Sequence, residues 1–384
     1  MATYTVKKGK EKYKGTNGKD IFKTEGKVGS FTINALGGND KIYIGAGSGK
    51  EVSVGTGADY VEVTGGKVNK IRLSAGTNTI KITGGQVNNI VGDGTSRKTS
   101  DIITVSSQKT RINITTSNGD DKVTVNGIHN SELHRASRAD IETNSGNDTI
   151  TINNGGFNRI KAGYGTDKIT INGGSNYVLA GSSKDTIVVN SKYGNYINGQ
   201  GGDDTITLGK SARRCYAYGE SGNDTINVKS TATGKVGNFI NGGNGHDTIN
   251  VNYKSGMSLV VDARQSFSEN RDTVNIISDY NESVTFKYYK KYDVMEISDH
   301  FHIVGFKQLR DIGFDFGSGN KSVFNPTELI DGLNRNGDIV ISDSRFDIDD
   351  LFSNYKLIKN YVDDAPSLSV ESSKSAIAMG YKKY

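Results

Sequence analysis

The acidic residues of this 384-residue chain recur at a nearly fixed interval. Aligned on one position they are Asp20, Asp40, Asp59, Asp101, Asp121, Asp148, Asp167, Asp185, Asp204, Asp224, Asp247 and Asp272, with Asn78 standing where another acid would fall, and the usual step is 18 to 20 residues. Glycine commonly stands two residues earlier, as Gly18, Gly38, Gly57, Gly119, Gly146, Gly165, Gly202, Gly222 and Gly245. Glycine permits the left-handed turn that aims carbonyl oxygens inward. A carboxylate from one copy, its counterpart from the next and the turn carbonyls between them offer the roughly six to eight hard oxygens that calcium prefers. Asp20, Asp40, Asp59, Asp121, Asp148, Asp167, Asp204, Asp224 and Asp247 follow the best-formed turns. Asp101, Asp185 and Asp272 hold the same place in less regular surroundings, with Lys184 and Arg271 beside the last two. The plainer alternative is an Asp that caps a tight turn by bonding its own backbone.

The elements that would position these acids follow from parity. The second residue after each is Phe22, Ile42, Val61, Ile80, Ile103, Val123, Ile150, Ile169, Ile187, Ile206, Ile226, Ile249 or Val274, apolar in every copy, and the fourth is apolar except at Thr24. In a strand these side chains share one face with the acid, so the acid opens a strand whose inner face feeds a core. Thr149, Thr151, Lys168 and Thr170 then face solvent. The second half of several copies sets an Asn two residues before an apolar residue: Asn69, Asn88, Asn158, Asn176, Asn195 and Asn238. Stacked in register, these amides are expected to point inward as a ladder on the edge opposite the acids. Two short strands and two turns per step predict an all-β, parallel β-solenoid of about 13 coils over residues 1–278, a rod on the order of 60 Å long. Beyond residue 278 the period stops and bulky aromatics appear, which predicts a small α+β cap over 279–384. Two short helices are expected there, with Asn325 or Asp347 as cap and Pro326 in a first turn.

Composition agrees. Glycine occurs 49 times, proline twice and tryptophan never, and 34% of residues are hydrophobic, enough for a narrow core fed by short strands. The single Cys215 allows no intrachain disulfide, so packing, hydrogen bonds or metal must stabilise the coils. A net charge of +5 is too mild for a nucleic-acid binder. No stretch suits a membrane span, and the N-terminal residues do not resemble a secretory signal.

The runs "GGNGHDTINV", "GQGGDDTITL", "GESGNDTINV" and "GTGADYVEV" resemble the glycine-and-aspartate calcium-binding nonapeptides of RTX proteins. The step of about nineteen residues, with one acidic turn per coil, looks more like the single-row solenoids of bacterial adhesins than the two-row β-roll of haemolysins. The resemblance covers about residues 15–276. It implies several calcium ions, folding triggered by extracellular calcium, and type I secretion through a C-terminal signal to the medium or the bacterial surface. Two features depart from it: the chain is basic where such repeats are usually acidic, and Asn78 replaces one acid.

Enzyme signatures are missing. There is no H-E-x-x-H and no G-x-S-x-G, and "GAGSGKE" puts Glu51 where a phosphate loop needs Ser or Thr. A repeated carboxylate argues against one catalytic pair, which needs a single special constellation. His300 and His302 share a strand face without further histidines at matching spacing. The pairs Thr149/Thr151 and Thr205/Thr207 resemble the threonine arrays of ice-binding solenoids, interrupted by Lys, Glu and Tyr in other coils. The expectation is a non-enzymatic, calcium-binding, secreted or cell-surface repeat protein serving as spacer, adhesin segment or surface-layer subunit, with self-assembly through its rod ends. The alternative is a module for acidic polysaccharide or surface glycan, using Lys23, Lys41, Lys81, Lys122 and Lys168 as a basic strip.

Overall fold

The computed structural model describes residues 1–342 apart from 10, 94–98, 108–109, 128–137, 154–155, 234–236, 265–270, 279–284, 299, 316–321 and 337–338. The second expected helix, with Asp347, and the tail read as an export signal lie outside the described residues.

Two sheets run the length of the chain and alternate along it. The strand opened by each acid pairs in parallel with its counterpart one coil on, as in Thr149–Ile152 against Lys168–Ile171, where Ile150 lies opposite Ile169 and Ile152 opposite Ile171. These strands build a 16-stranded sheet. The second sheet is built from the intervening strands, such as Phe157–Tyr164 against Ser175–Ser182. The fold is therefore an all-β parallel β-solenoid. Period-two alternation explains why the β-branched residues collect between the sheets: Ile150, Ile152, Ile169 and Ile171 are fully buried, and Ile160 and Val178 face them from the other sheet.

The inward amide ladder exists, but over fewer coils than expected. Asn158, Asn176, Asn195 and Asn238 are buried. Asn158 Nδ2 donates to Asn176 Oδ1 at 2.8 Å, Asn176 Nδ2 to Asn195 Oδ1 at 2.8 Å, and the Cys215 backbone N–H to Asn238 Oδ1 at 3.0 Å. Asn69 and Asn88 are not part of it. In Lys67–Arg72 both Val68 and Ile71 are buried, so two residues instead of one separate the inward positions, and Asn69 is turned outward. Val87 and Ile90 do the same to Asn88, whose amide bonds Asn69 Oδ1 at 3.2 Å on the outer surface. Apolar Val68 and Val87 take the interior place that Asn holds in later coils.

Parallel stacking does not end where the period fades. Phe301–Val304 pairs with Leu259–Asp262, and Asp311–Asp315 with Thr273–Ser278. Buried Phe301, Phe306, Phe314 and Tyr288 fill the core's end, and an antiparallel strand Ser322–Phe324 closes the acid-side sheet. The helix Pro326–Asn336 starts as the sequence suggests, with the Thr327 N–H donating to Asn325 Oδ1 at 2.9 Å. His302 is buried with its Nε2 3.4 Å from Glu296, which gives it a structural partner.

Candidate metal centre

Each acid is held at the junction of a turn and the first residue of a strand, and all twelve are buried, as is Asn78. The backbone explains the orientation. The N–H of each position donates to Oδ1 of the acid one coil on: Asp148 to Asp167 at 2.7 Å, Asp167 to Asp185 at 2.7 Å, Asp204 to Asp224 at 2.7 Å, and so from Asp20 through to Asp272. One oxygen of every carboxylate is therefore committed to a coil-to-coil hydrogen bond. The sequence pattern, which offered each carboxylate to a shared cation, left this bond out.

The other oxygen is the unusual one. Oδ2 of Asp40, Asp59, Asp101, Asp121, Asp148, Asp167, Asp185, Asp204, Asp224 and Asp247 is shielded from solvent and has no hydrogen-bond partner. A buried acceptor left unpaired costs about 1–3 kcal/mol, more if charged. Asp101 and Asp185 share this geometry with the better-patterned acids. Asp20, at the first coil, differs: its Oδ2 accepts from the Thr16 N–H at 2.6 Å and Thr16 Oγ1 at 2.9 Å.

What lies beside the unpaired oxygens follows from the turn. Before Asp40, Asp59, Asp148, Asp167, Asp185, Asp204, Asp224 and Asp247 the residues two and four earlier are left-handed, for example Gly165 (φ 124°) and Gly163 (φ 112°) before Asp167, or Gly245 (φ 136°) and Gly243 (φ 103°) before Asp247. Both positions stack on their counterparts in the coil before. A Cβ on Gly163 would overlap the Asn144 carbonyl, and one on Gly165 the Gly146 carbonyl, so two files of backbone oxygens run beside the file of carboxylates. In the coils of Asp204, Asp224 and Asp247, glycine also stands five residues before the acid. A Cβ on Gly199, Gly219 or Gly242 would strike the Oδ2 of its own acid. In these three coils a side chain at that position would fill the space the unpaired oxygen faces, whereas Ala35, Val54, Ala162 and Ala180 hold the same place before Asp40, Asp59, Asp167 and Asp185.

Five non-glycine turn residues were not legible as part of the site, one of them Ser183, two before Asp185, with φ 105°. Leu36, Asn144, Gln200 and Glu220 each stand four before an acid and hold φ between 65° and 78°, a conformation that costs of order 1–3 kcal/mol for a non-glycine residue. Nothing in their side chains signals it; only the period would have placed them.

Charge makes the row unstable as bare carboxylate. Burial pushes the carboxyl of Asp204 up to about 8, those of Asp59, Asp121, Asp148, Asp167 and Asp224 to about 7, and those of Asp40, Asp101, Asp185 and Asp247 to about 6, against the pull of the donated N–H and, at Asp121 and Asp148, of the nearby Thr116 and Thr143 hydroxyls. At Asp20 burial pushes the same way, but the bonds from Thr16 and Ala2 outweigh it and hold the carboxyl below its usual value. The donor set is thus one hard carboxylate oxygen and backbone carbonyls per coil, repeated along a line. It suits calcium and offers nothing to a soft metal. Among the described residues no three His, Cys, Asp or Glu side chains converge, so any cation held here would need backbone oxygens for most of its ligands.

No family model matches the chain, and no curated protein matches it. Among solved structures, it is similar to a hyperactive, Ca2+-dependent, β-helical antifreeze protein from an Antarctic bacterium. The identity is 18%, the TM-score 0.44, and the match covers 91% of this chain and 96% of that one.

The outward face of the acid-side sheet is organised in columns. Lys41, Lys122 and Lys168 fall in the column next to the acids, while Lys23 and Lys81 fall in the following one. Lys81 is also 3.6 Å from Glu62. The five lysines therefore form no single basic file. The same face carries an unbroken file of five threonines, Thr186, Thr205, Thr225, Thr248 and Thr273. An exposed amide ladder runs beside other coils, with Asn153 donating to Asn126 at 2.7 Å, Asn172 to Asn153 at 2.8 Å and Asn190 to Asn172 at 3.0 Å.

Proposed function

We propose that the protein is a calcium-stiffened structural solenoid, a non-enzymatic rod that acts as a spacer, adhesin segment or surface-layer subunit outside a bacterial cell. The observation that carries this reading is the file of ten buried, unpartnered Oδ2 atoms, eight of them preceded by turns with two left-handed residues. When bound, calcium supplies the positive charge that this oxygen-lined file requires. The chain's own residues do the rest: Oδ1 ties each coil to the preceding N–H, glycine keeps the cradle open, and the Ile/Val core closes when the turns are held. Without the cation, adjacent acids must take up protons or repel, and the coils loosen. Export by a type I route and calcium-triggered folding outside the cell extend this reading through the likeness to RTX repeats. A calcium titration followed by circular dichroism tests it. Strand content and melting temperature are expected to rise between chelator and millimolar calcium, and unchanged values would refute the proposal.

The outer face favours a second role. Four half-buried members of the file, Thr186, Thr205, Thr225 and Thr248, offer a regularly spaced hydroxyl array suited to an ordered lattice such as ice, while Thr273 is buried with its hydroxyl accepting from Arg310. Thermal hysteresis in calcium, lost on Thr225→Lys, would establish it. Retention on alginate that salt abolishes would instead favour an acidic polysaccharide, for which the divided lysine columns provide only dispersed charge.

A further inference from the structure

One coil departs from the rest at the atom that matters. Asn78 is fully buried in the row. Its Oδ1 accepts the Asp59 N–H at 3.3 Å, as each Oδ1 of the acids does from the coil before. Its Nδ2 therefore occupies the place that the unpaired Oδ2 occupies elsewhere. There it donates to the Ser74 carbonyl at 3.1 Å, the Gly76 carbonyl at 3.4 Å and Asp101 Oδ1 at 2.9 Å. Ser74 and Gly76 are the residues four and two before it, and Gly76 has the left-handed φ of 128° found in the acidic turns. The turn shares the left-handed Gly76 with the acidic turns but not a left-handed residue four before, since Ser74 is not left-handed, and the amide hydrogens sit among oxygens that would otherwise face a cation. An amide nitrogen that already donates has no lone pair to offer a hard cation and repels it.

We propose that Asn78 is a built-in substitute for a calcium ion. It closes the junction between the coils of Asp59 and Asp101 by hydrogen bonds alone, and it divides the row into two separate blocks of sites, one ending at Asp59 and the other beginning at Asp101. This rests on the calcium reading of the acidic row. The split gives the rod one joint that stays formed when calcium is scarce, with metal-dependent coils on either side.

The test compares wild type, Asn78→Asp and Asn78→Ala, each as the full chain. Bound calcium is counted by equilibrium dialysis with atomic emission, and melting is followed in chelator and in millimolar calcium. Asn78→Asp is expected to bind one more ion per chain than wild type. It should melt below wild type in chelator, where the amide's bonds are gone, and regain that loss in calcium. Asn78→Ala, which can neither donate nor ligate, should melt below wild type in both media. A wild type that binds calcium beside an Asn78→Asp that binds no more, and that is equally weakened in both media, would overturn this inference alone. A wild type that binds no calcium would overturn the metal reading with it.

Discussion

Asp167→Asn repeats the substitution that the chain itself carries at residue 78, and its effect is expected to change sign with calcium. Asp167 Oδ1 accepts the Asp148 N–H at 2.7 Å, and its Oδ2 is buried without a partner beside the turn of Gly163 and Gly165. An amide in its place keeps the first bond and turns an unpaired acceptor into a donor facing carbonyls. Relieving one buried unsatisfied group is worth about 1–3 kcal/mol. For a cooperative unit of about 150–250 residues, about 2 kcal/mol corresponds to a melting temperature roughly 4–8 °C higher in chelator. In calcium the variant loses a ligand. An ion at a hundred times its dissociation constant contributes about 2.7 kcal/mol, so the variant should then melt lower than wild type. Scanning calorimetry at pH 7 in chelator and in millimolar calcium reads both values. Shifts of the same sign in the two media would refute the assignment of Asp167 as a ligand.

Other consequences follow from the same geometry. The metal-free protein should be most stable in mild acid: carboxyls raised to about 6–8 in the fold hold protons that the unfolded chain releases near its ordinary value of 3.8, so stability is full below that value and is lost as pH rises through 6–8. Melting in chelator at pH 5 and pH 8 checks this, and a higher melting temperature at pH 8 would contradict it. Gly219→Ala would drive a methyl into Asp224 Oδ2 and the Gly242 carbonyl, and should remove at least one bound calcium as counted by dialysis. Asn176→Leu takes the acceptor from Asn158 Nδ2, while Asn195 Oδ1 keeps the backbone N–H of residue 176, and should cost about 1–3 kcal/mol in urea unfolding, equally with and without calcium. Cys215 is buried with its thiol pushed up to about 11 by burial, so a thiol reagent should label it only as the chain unfolds.

The acids were legible because a strand's period of two is rigid: once Ile150 and Ile152 point inward, Asp148 must as well. The same rule misplaced Asn69 and Asn88, because one extra residue between Val68 and Ile71 inverts the parity and no residue type announces it. Glycine marked most left-handed turn positions, yet Leu36, Asn144, Gln200 and Glu220 adopt that conformation with ordinary side chains, held there by the stack rather than by local preference. The use of Oδ1 by the neighbouring coil could not be read from sequence either, since it depends on the acid's own N–H finding no partner nearer than one coil away. Beyond residue 278, Phe301 and Phe314 continue the two sheets with larger side chains, so the period fades while the stacking goes on.

The central claim is that cations occupy the acidic row. Crystals grown in calcium, with anomalous scattering collected to locate the ions, test it most directly. A file of peaks is expected between the Oδ2 atoms of Asp40 to Asp247 and the turn carbonyls preceding them, with a gap at Asn78. Peaks confined to the outer surface, or none along the row, would contradict it.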